Sequence, residues 1–147
     1  MSSKPSDLTV CNCLALRQAA RHVTQFYDQF LAASGLRTTQ FSILARLNRN
    51  GAMTINALAA DLIMDRTTLG RNIRPLQRDG LIAVEAESSD RRAKALRLTA
   101  AGVARLRAAT KAWQTAQARF ETDFGADRAK ALRALLHEIA TREIAAR

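Results

Sequence analysis

The feature that most constrains this chain is one change of hydrophobic period. Through residue 79 the apolar residues return every three or four positions, as on one face of a helix. In "LIAVEAE" (81–87) and "ALRLT" (95–99) they alternate instead, as on one face of a strand, and after Thr99 the helical spacing resumes. Ile82 and Val84 would form the buried side of the first strand, Leu96 and Leu98 that of the second. Between them "SSDRRAK" (88–94) is polar and turn-forming, so the pair reads as a hairpin with a long basic tip. The expected class is mainly α with a small β hairpin.

The helical segments are bounded by recognisable caps. Leu16, Ala19, Val23, Phe26, Phe30 and Leu31 predict a helix over 12–34, stopped by Gly35, which can take the left-handed conformation. Thr38 or Thr39 is placed to cap a second helix with Phe41, Leu44 and Leu47 on one face, closing at Asn50-Gly51. Thr54 caps a short third helix, and Asp65 caps a fourth that carries Leu69, Ile73 and Leu76 inward and ends at Asp79-Gly80. Pro75 removes a backbone hydrogen bond there and crowds the carbonyl of Arg71, yet the apolar phase holds across it, so the helix is expected to continue. A long helix from Thr99 carries Val103, Leu106, Trp113, Phe120 and Phe124. "GAD" (125–127) breaks it, and Asp127 is placed to cap a last helix with Leu132, Leu135, Leu136 and Ile139.

Charge narrows the partner. The formal net charge is +10, and it is concentrated locally: 66–78 holds four arginines and no acid, and 91–97 holds four cations and no acid. Such an excess suits a polyanion, most simply nucleic acid, whose condensed counterions the cations displace. With 48% hydrophobic and 24% charged residues the chain reads as globular, and no apolar run is long enough to cross a bilayer. The start, "MSSKPSDLTVCNCLALRQ", lacks a secretory pattern, so a cytoplasmic location and no membrane partner are expected. Cys11 and Cys13 are too few for a disulfide scaffold, and with His22 and His137 they make no metal-ligand set. No nucleophile with its base, phosphate-cradling loop or paired carboxylates stands out, so no enzyme, cofactor or metal is expected.

Helix, short turn, helix and hairpin is the winged helix-turn-helix layout, whose second helix fits the DNA major groove. With Leu69, Ile73 and Leu76 inward, Arg66, Thr67, Gly70, Arg71, Arg74 and Arg78 face out, and Thr68 reaches a base edge if the helix enters end-first. Arginine can bond guanine through two donors and a threonine methyl can pack on thymine, whereas Asn72 and Arg74 are better placed for phosphates. Thr39 and Thr54, at the starts of the two preceding helices, complete the candidate DNA-facing set on this lobe. Arg91, Arg92 and Lys94 on the hairpin would enter the adjacent minor groove, where a narrow A·T stretch concentrates negative potential. Asp90 would repel phosphate there unless it pairs internally and orients Arg92 or a neighbouring arginine. Either basic window alone reads as a solvated face; both on adjacent elements point at one duplex.

Taken together, "DRTTLGRNIRPLQRDGLI" (65–82), "DRR" (90–92), "LRLT" (96–99) and Gly102 resemble the MarR family of bacterial transcription factors. The resemblance implies one domain over 1–147, with a DNA-binding lobe at 36–99 and helical dimerisation regions at 1–35 and 100–147. It assigns Arg92 to the minor groove and Asp90 to the wing, and implies a homodimer on a pseudo-palindromic operator, repressing until a small-molecule effector releases it. Some members sense organic hydroperoxides through a cysteine near the first helix, a role that would fall on Cys13 with Tyr27 as its partner. His22, Phe26, Phe41 and Trp113 are candidate ligand-pocket residues, with ordinary core packing as the alternative. A thiol sensor and a nonspecific architectural DNA binder are the competing functional readings.

Overall fold

The structure is a computed structural model that describes residues 7–87 and 90–143, without the side chains of residues 8, 87 and 90–93. After a 3-10 turn at Leu8–Val10 come α1 (Asn12–Leu31), a second 3-10 turn (Ala32–Ser34) and α2 (Thr38–Asn50). Then follow β1 (Met53–Thr54), α3 (Ile55–Leu62), α4 (Arg66–Arg78), β2 (Ile82–Glu87) and β3 (Asp90–Leu98). Two helices close the chain, α5 (Ala100–Phe124) and α6 (Ala126–Thr141). The fold is that of a mainly helical chain with one small antiparallel sheet, as the change of period predicts.

Local chemistry explains most boundaries. Thr54, Asp65 and Thr99 cap α3, α4 and α5 by accepting from the N–H groups of Ala57, Thr68 and Gly102. Gly35 closes the turn after α1 in the left-handed region, at φ 73°. Ile63 does the same after α3 at φ 51°, an uncommon choice for a β-branched side chain. Two expected caps are corrected. The N-cap of α2 is Arg37, whose backbone N–H donates to the Gln40 side chain at 3.1 Å, while Thr38 is already helical and donates its N–H and hydroxyl to Asp28 of α1 at 2.7 and 2.6 Å. Gly125 rather than Asp127 precedes α6, and Asp127 lies in its first turn, where a carboxylate still complements the positive helix end. α4 runs through Pro75 to Arg78, as its apolar phase requires.

The sheet has the order β1-β3-β2. Ile82 pairs with Leu98 and Val84 with Leu96, so the alternating residues of both strands face the core together. β3 begins at Asp90, not near Ala95, so the basic stretch taken as a loop is a strand paired with β2, with an irregularity between Ala86 and Glu87. Polar residues on this outlying ladder lack the apolar alternation that reveals a strand in sequence. β1, too short to show a period, adds Met53 and Thr54 opposite Leu96 and Ala95.

The core lies between these layers: Leu31, Ile43, Leu44, Leu47, Leu58, Leu69, Leu76 and Leu96 are its fully buried large side chains. Along α5 the buried residues are Gly102, Leu106, Ala109 and Ala116; the larger Val103, Trp113, Phe120 and Phe124 are half-buried. Small residues there let α5 approach its neighbours closely. Gly102 shows this most sharply. A Cβ built on it would stand 2.1 Å from the carbonyl oxygen of Leu81. Beside it the Thr99 hydroxyl donates to the Gly80 carbonyl at 2.6 Å and the Thr99 N–H to Leu81 O at 3.1 Å.

Gly102→Ala is therefore expected to destabilise the fold by about 3 kcal/mol, because backbone rather than a pliable side chain must give way. Urea unfolding measures it; a midpoint equal to that of the wild type would contradict this packing.

Candidate nucleic-acid interface

α4 is fixed from its cap outward. Asp65 accepts from the Thr68 N–H at 2.8 Å and the Thr68 hydroxyl at 2.7 Å, fixing the first turn. These bonds, the hydroxyl's first, hold the Asp65 carboxyl below its ordinary range. With Leu69, Ile73 and Leu76 buried on one face, Arg66, Thr67, Arg71, Arg74 and Arg78 are exposed on the other. Arg78 lies 3.7 Å from Asp79, whereas among the described residues no carboxylate pairs with Arg66, Arg71 or Arg74.

Two other candidates on α4 are partly committed. The Thr68 hydroxyl proton goes to Asp65, leaving its oxygen as an acceptor. Asn72 donates one amide hydrogen to the Thr68 carbonyl at 2.9 Å, leaving the other for a partner.

On the hairpin, Lys94 is exposed and stands opposite Ala86. Arg97, from the same basic window, serves the sheet itself: its Nε and Nη2 reach Glu85 at 2.9 and 2.6 Å. The backbones of Asp90, Arg91 and Arg92 belong to β3, but their side chains, and so the expected Asp90–arginine pairing, lie outside the described residues. Thr54 is half-buried at the junction of β1 and α3 and spends its oxygen on the Ala57 N–H. Thr39 is half-buried at the α1–α2 junction beside Thr38 and is not part of the α4 row.

The aromatic candidates fall into two groups. Phe41 stacks on Trp113 across α2 and α5, with ring centres 6.0 Å apart, whereas Phe26 packs edge-on against Tyr27 and Phe30 of its own helix. His22 is exposed on α1. A groove of about 400 Å³ opens elsewhere between α2 and α5, lined by Asn48, Val103, Leu106, Arg107, Thr110, Lys111 and Gln114. Sequence reasoning missed it because these polar α5 residues read as a solvated face; only the approach of Asn48 makes them a wall.

Of the redox candidates, Cys13 is exposed in the first turn of α1 and Cys11 caps that helix, its sulfur accepting from the Leu14 N–H at 3.4 Å. Tyr27 lies ~21 Å further along the same helix. Its hydroxyl donates to Gln117 Oε1 at 2.5 Å, and Gln117 in turn donates to Glu121, which also pairs with Arg133. Partial burial, then the Glu121 charge, raise the Tyr27 pKa, and Arg133 opposes them.

An exposed arginine row thus lies on a capped helix packed against the first strand of an antiparallel hairpin. The MarR family model matches residues 36–94. The Mycobacterium tuberculosis transcriptional regulator MosR, solved in complex with DNA, is 38% identical, with a TM-score of 0.74 over 90% of this chain and 99% of that one. The chain belongs to the MarR family. Its members are DNA-binding transcriptional regulators, not enzymes. The transcriptional repressor CouR bound to a 23-mer duplex superposes with a TM-score of 0.82 at 29% identity, over 95% of this chain and 99% of that one. A transcriptional activatory protein of Rhodopseudomonas palustris, BadR, is 33% identical over 91 residues, 59% of this chain; the match spans about half, 51%, of BadR's length. Among the described residues no helix is long and apolar enough to cross a membrane.

The Asp65 cap gives a pH signature. A carboxyl whose folded pKa is lowered stabilises the fold above its ordinary range and loses that contribution as pH falls through the lowered value. Asp65→Ala is expected to melt below the wild type at neutral pH, with the gap narrowing in acid; a gap that does not change with pH would refute the charged cap.

Proposed function

We propose that the chain acts as a homodimeric repressor on a pseudo-palindromic operator in the cytoplasm, released by a small anionic effector. The observation that carries the dimer is the apolar surface of the terminal helices. Leu14 and Leu16 on α1 are each 39% exposed, and Leu135, Leu136 and Ile139 on α6 are 60%, 40% and 46% exposed. Scattered singly such residues mean little, but five on two of the three helices outside the DNA-binding lobe mark a surface that a second copy would cover. A two-fold axis through it would present two copies of α4 to half-sites ~10 bp apart.

On each half-site Thr67 and Arg71 would read base edges, Arg66 and Arg74 would hold phosphates, and Arg91, Arg92 and Lys94 would bring the hairpin to the flanking minor groove. Asn72, Thr68 and Thr54 would add their remaining hydrogen-bonding capacity. Repression needs only occupancy of the operator, with no surface for polymerase. CouR is a repressor and BadR an activatory protein, so the sign of control belongs to promoter geometry rather than to the fold. The α2–α5 groove suits the effector: Arg107 and Lys111 offer charge above a floor of Val103 and Leu106, and it bridges the lobe and a dimerisation helix. This favours an amphipathic anion. A thiol switch at Cys13 is supported less, because Tyr27 is engaged by Gln117 within the subunit.

Leu135→Asp with Ile139→Asp is expected to give a folded monomer by sedimentation and to lose operator affinity at least tenfold; a double variant that stays dimeric would overturn the assigned interface. Arg71→Ala should relax preference at particular base pairs, whereas Arg92→Ala should weaken all sequences several-fold and reduce the salt slope by about one. Indistinguishable effects of the two on specific and random duplexes would instead favour an architectural binder.

A further inference from the structure

Gly70 is a mid-helix glycine with no task inside the subunit. A glycine in a helix interior is less favourable than alanine, so it usually marks a tight contact or a left-handed turn. Neither holds here. Gly70 lies within α4, it is absent from the positive-φ residues, and a Cβ built on it meets nothing within 4 Å. The space it leaves faces outward.

Its neighbours on the helix surface show what that space adjoins. Residues four apart stand one above another on a helix, so Arg66, Gly70 and Arg74 form one row, a turn between each. Both arginines are exposed, and among the described residues neither has a carboxylate partner. The two Cα atoms are ~12 Å apart along the axis, so both guanidinium groups can converge over the bare backbone between them. Thr67 and Arg71 lie farther from the buried line of Leu69, Ile73 and Leu76, on the outermost face. When the helix lies in a groove, the outermost face meets the floor of bases, and a flanking row meets a wall of sugar and phosphate.

We infer that Gly70 is a notch that seats one DNA backbone phosphodiester against α4, between Arg66 and Arg74. A methyl group there would hold the strand off by about a bond length, ~1.5 Å, and pull both guanidinium groups out of bidentate range. The contact is sequence-independent and sets how deeply the helix sits, on which the base readings of Thr67 and Arg71 depend. This rests on the DNA-docking role proposed for α4.

Gly70→Ala separates the contact from the fold. The variant is expected to melt about 2–4 °C higher, since alanine is the better helix former and its methyl meets no protein atom. In fluorescence anisotropy with random-sequence duplex it should bind about tenfold more weakly, with a salt slope shallower by about one. Arg74→Ala should then cost less in the Gly70→Ala background than in the wild type, because its phosphate is already displaced. Unchanged affinity, a loss confined to particular base pairs, strictly additive effects of the two variants, or a lowered melting point would each overturn the notch. Failure of the wild-type chain itself to bind any duplex would instead refute the docking role.

Discussion

The close approach of Gly102 to the carbonyl of Leu81 is the contact on which the rest of the structure depends. Thr99 completes it with three hydrogen bonds: its hydroxyl donates to Gly80 and accepts from Gly102, and its N–H donates to Leu81. At this one point the end of α4, both inner ends of the hairpin and the start of α5 are fastened together. No side chain can be inserted between them, so their relative angle is fixed by backbone geometry rather than by pliable packing. The end of α4 and the inner end of the hairpin are consequently held at one angle.

The same economy divides the cations by task. Arg46 pairs with Asp61, Arg97 with Glu85 and Arg133 with Glu121, while Arg105 donates to the Ser34 carbonyl that ends the first helical segment. These hold elements to one another. Arg66, Arg71 and Arg74 project from a face whose opposite side is fully packed, and their charge is directed outward.

How far this was legible in the sequence depended on whether the signal was local. Asp65, Thr54 and Thr99 announced their helices because a cap is made within one turn, and Leu69, Ile73 and Leu76 kept phase across Pro75. The cap of the second helix is not legible in the same way, because Gln40 reaches back to the Arg37 N–H while the inviting Thr38 bonds to Asp28, ten positions earlier in the chain. The outer half of the last strand was hidden because its partners are polar. In the basic window 91–97 nothing local distinguished Arg97, tied to Glu85, from its neighbours. The α2–α5 groove was invisible for the same reason: Asn48 and Lys111 meet only through tertiary structure.

Under the proposed function, a helix and a hairpin from each of two copies dock on neighbouring grooves of a single duplex. Hydroxyl-radical and methylation footprinting of the chain on DNA flanking its own coding region tests it most directly. The account predicts protection of two major-groove segments about one helical turn apart, related by a dyad, each flanked by a protected stretch of minor groove. A single unsymmetric footprint, or protection that spreads evenly with no preferred site, would contradict it.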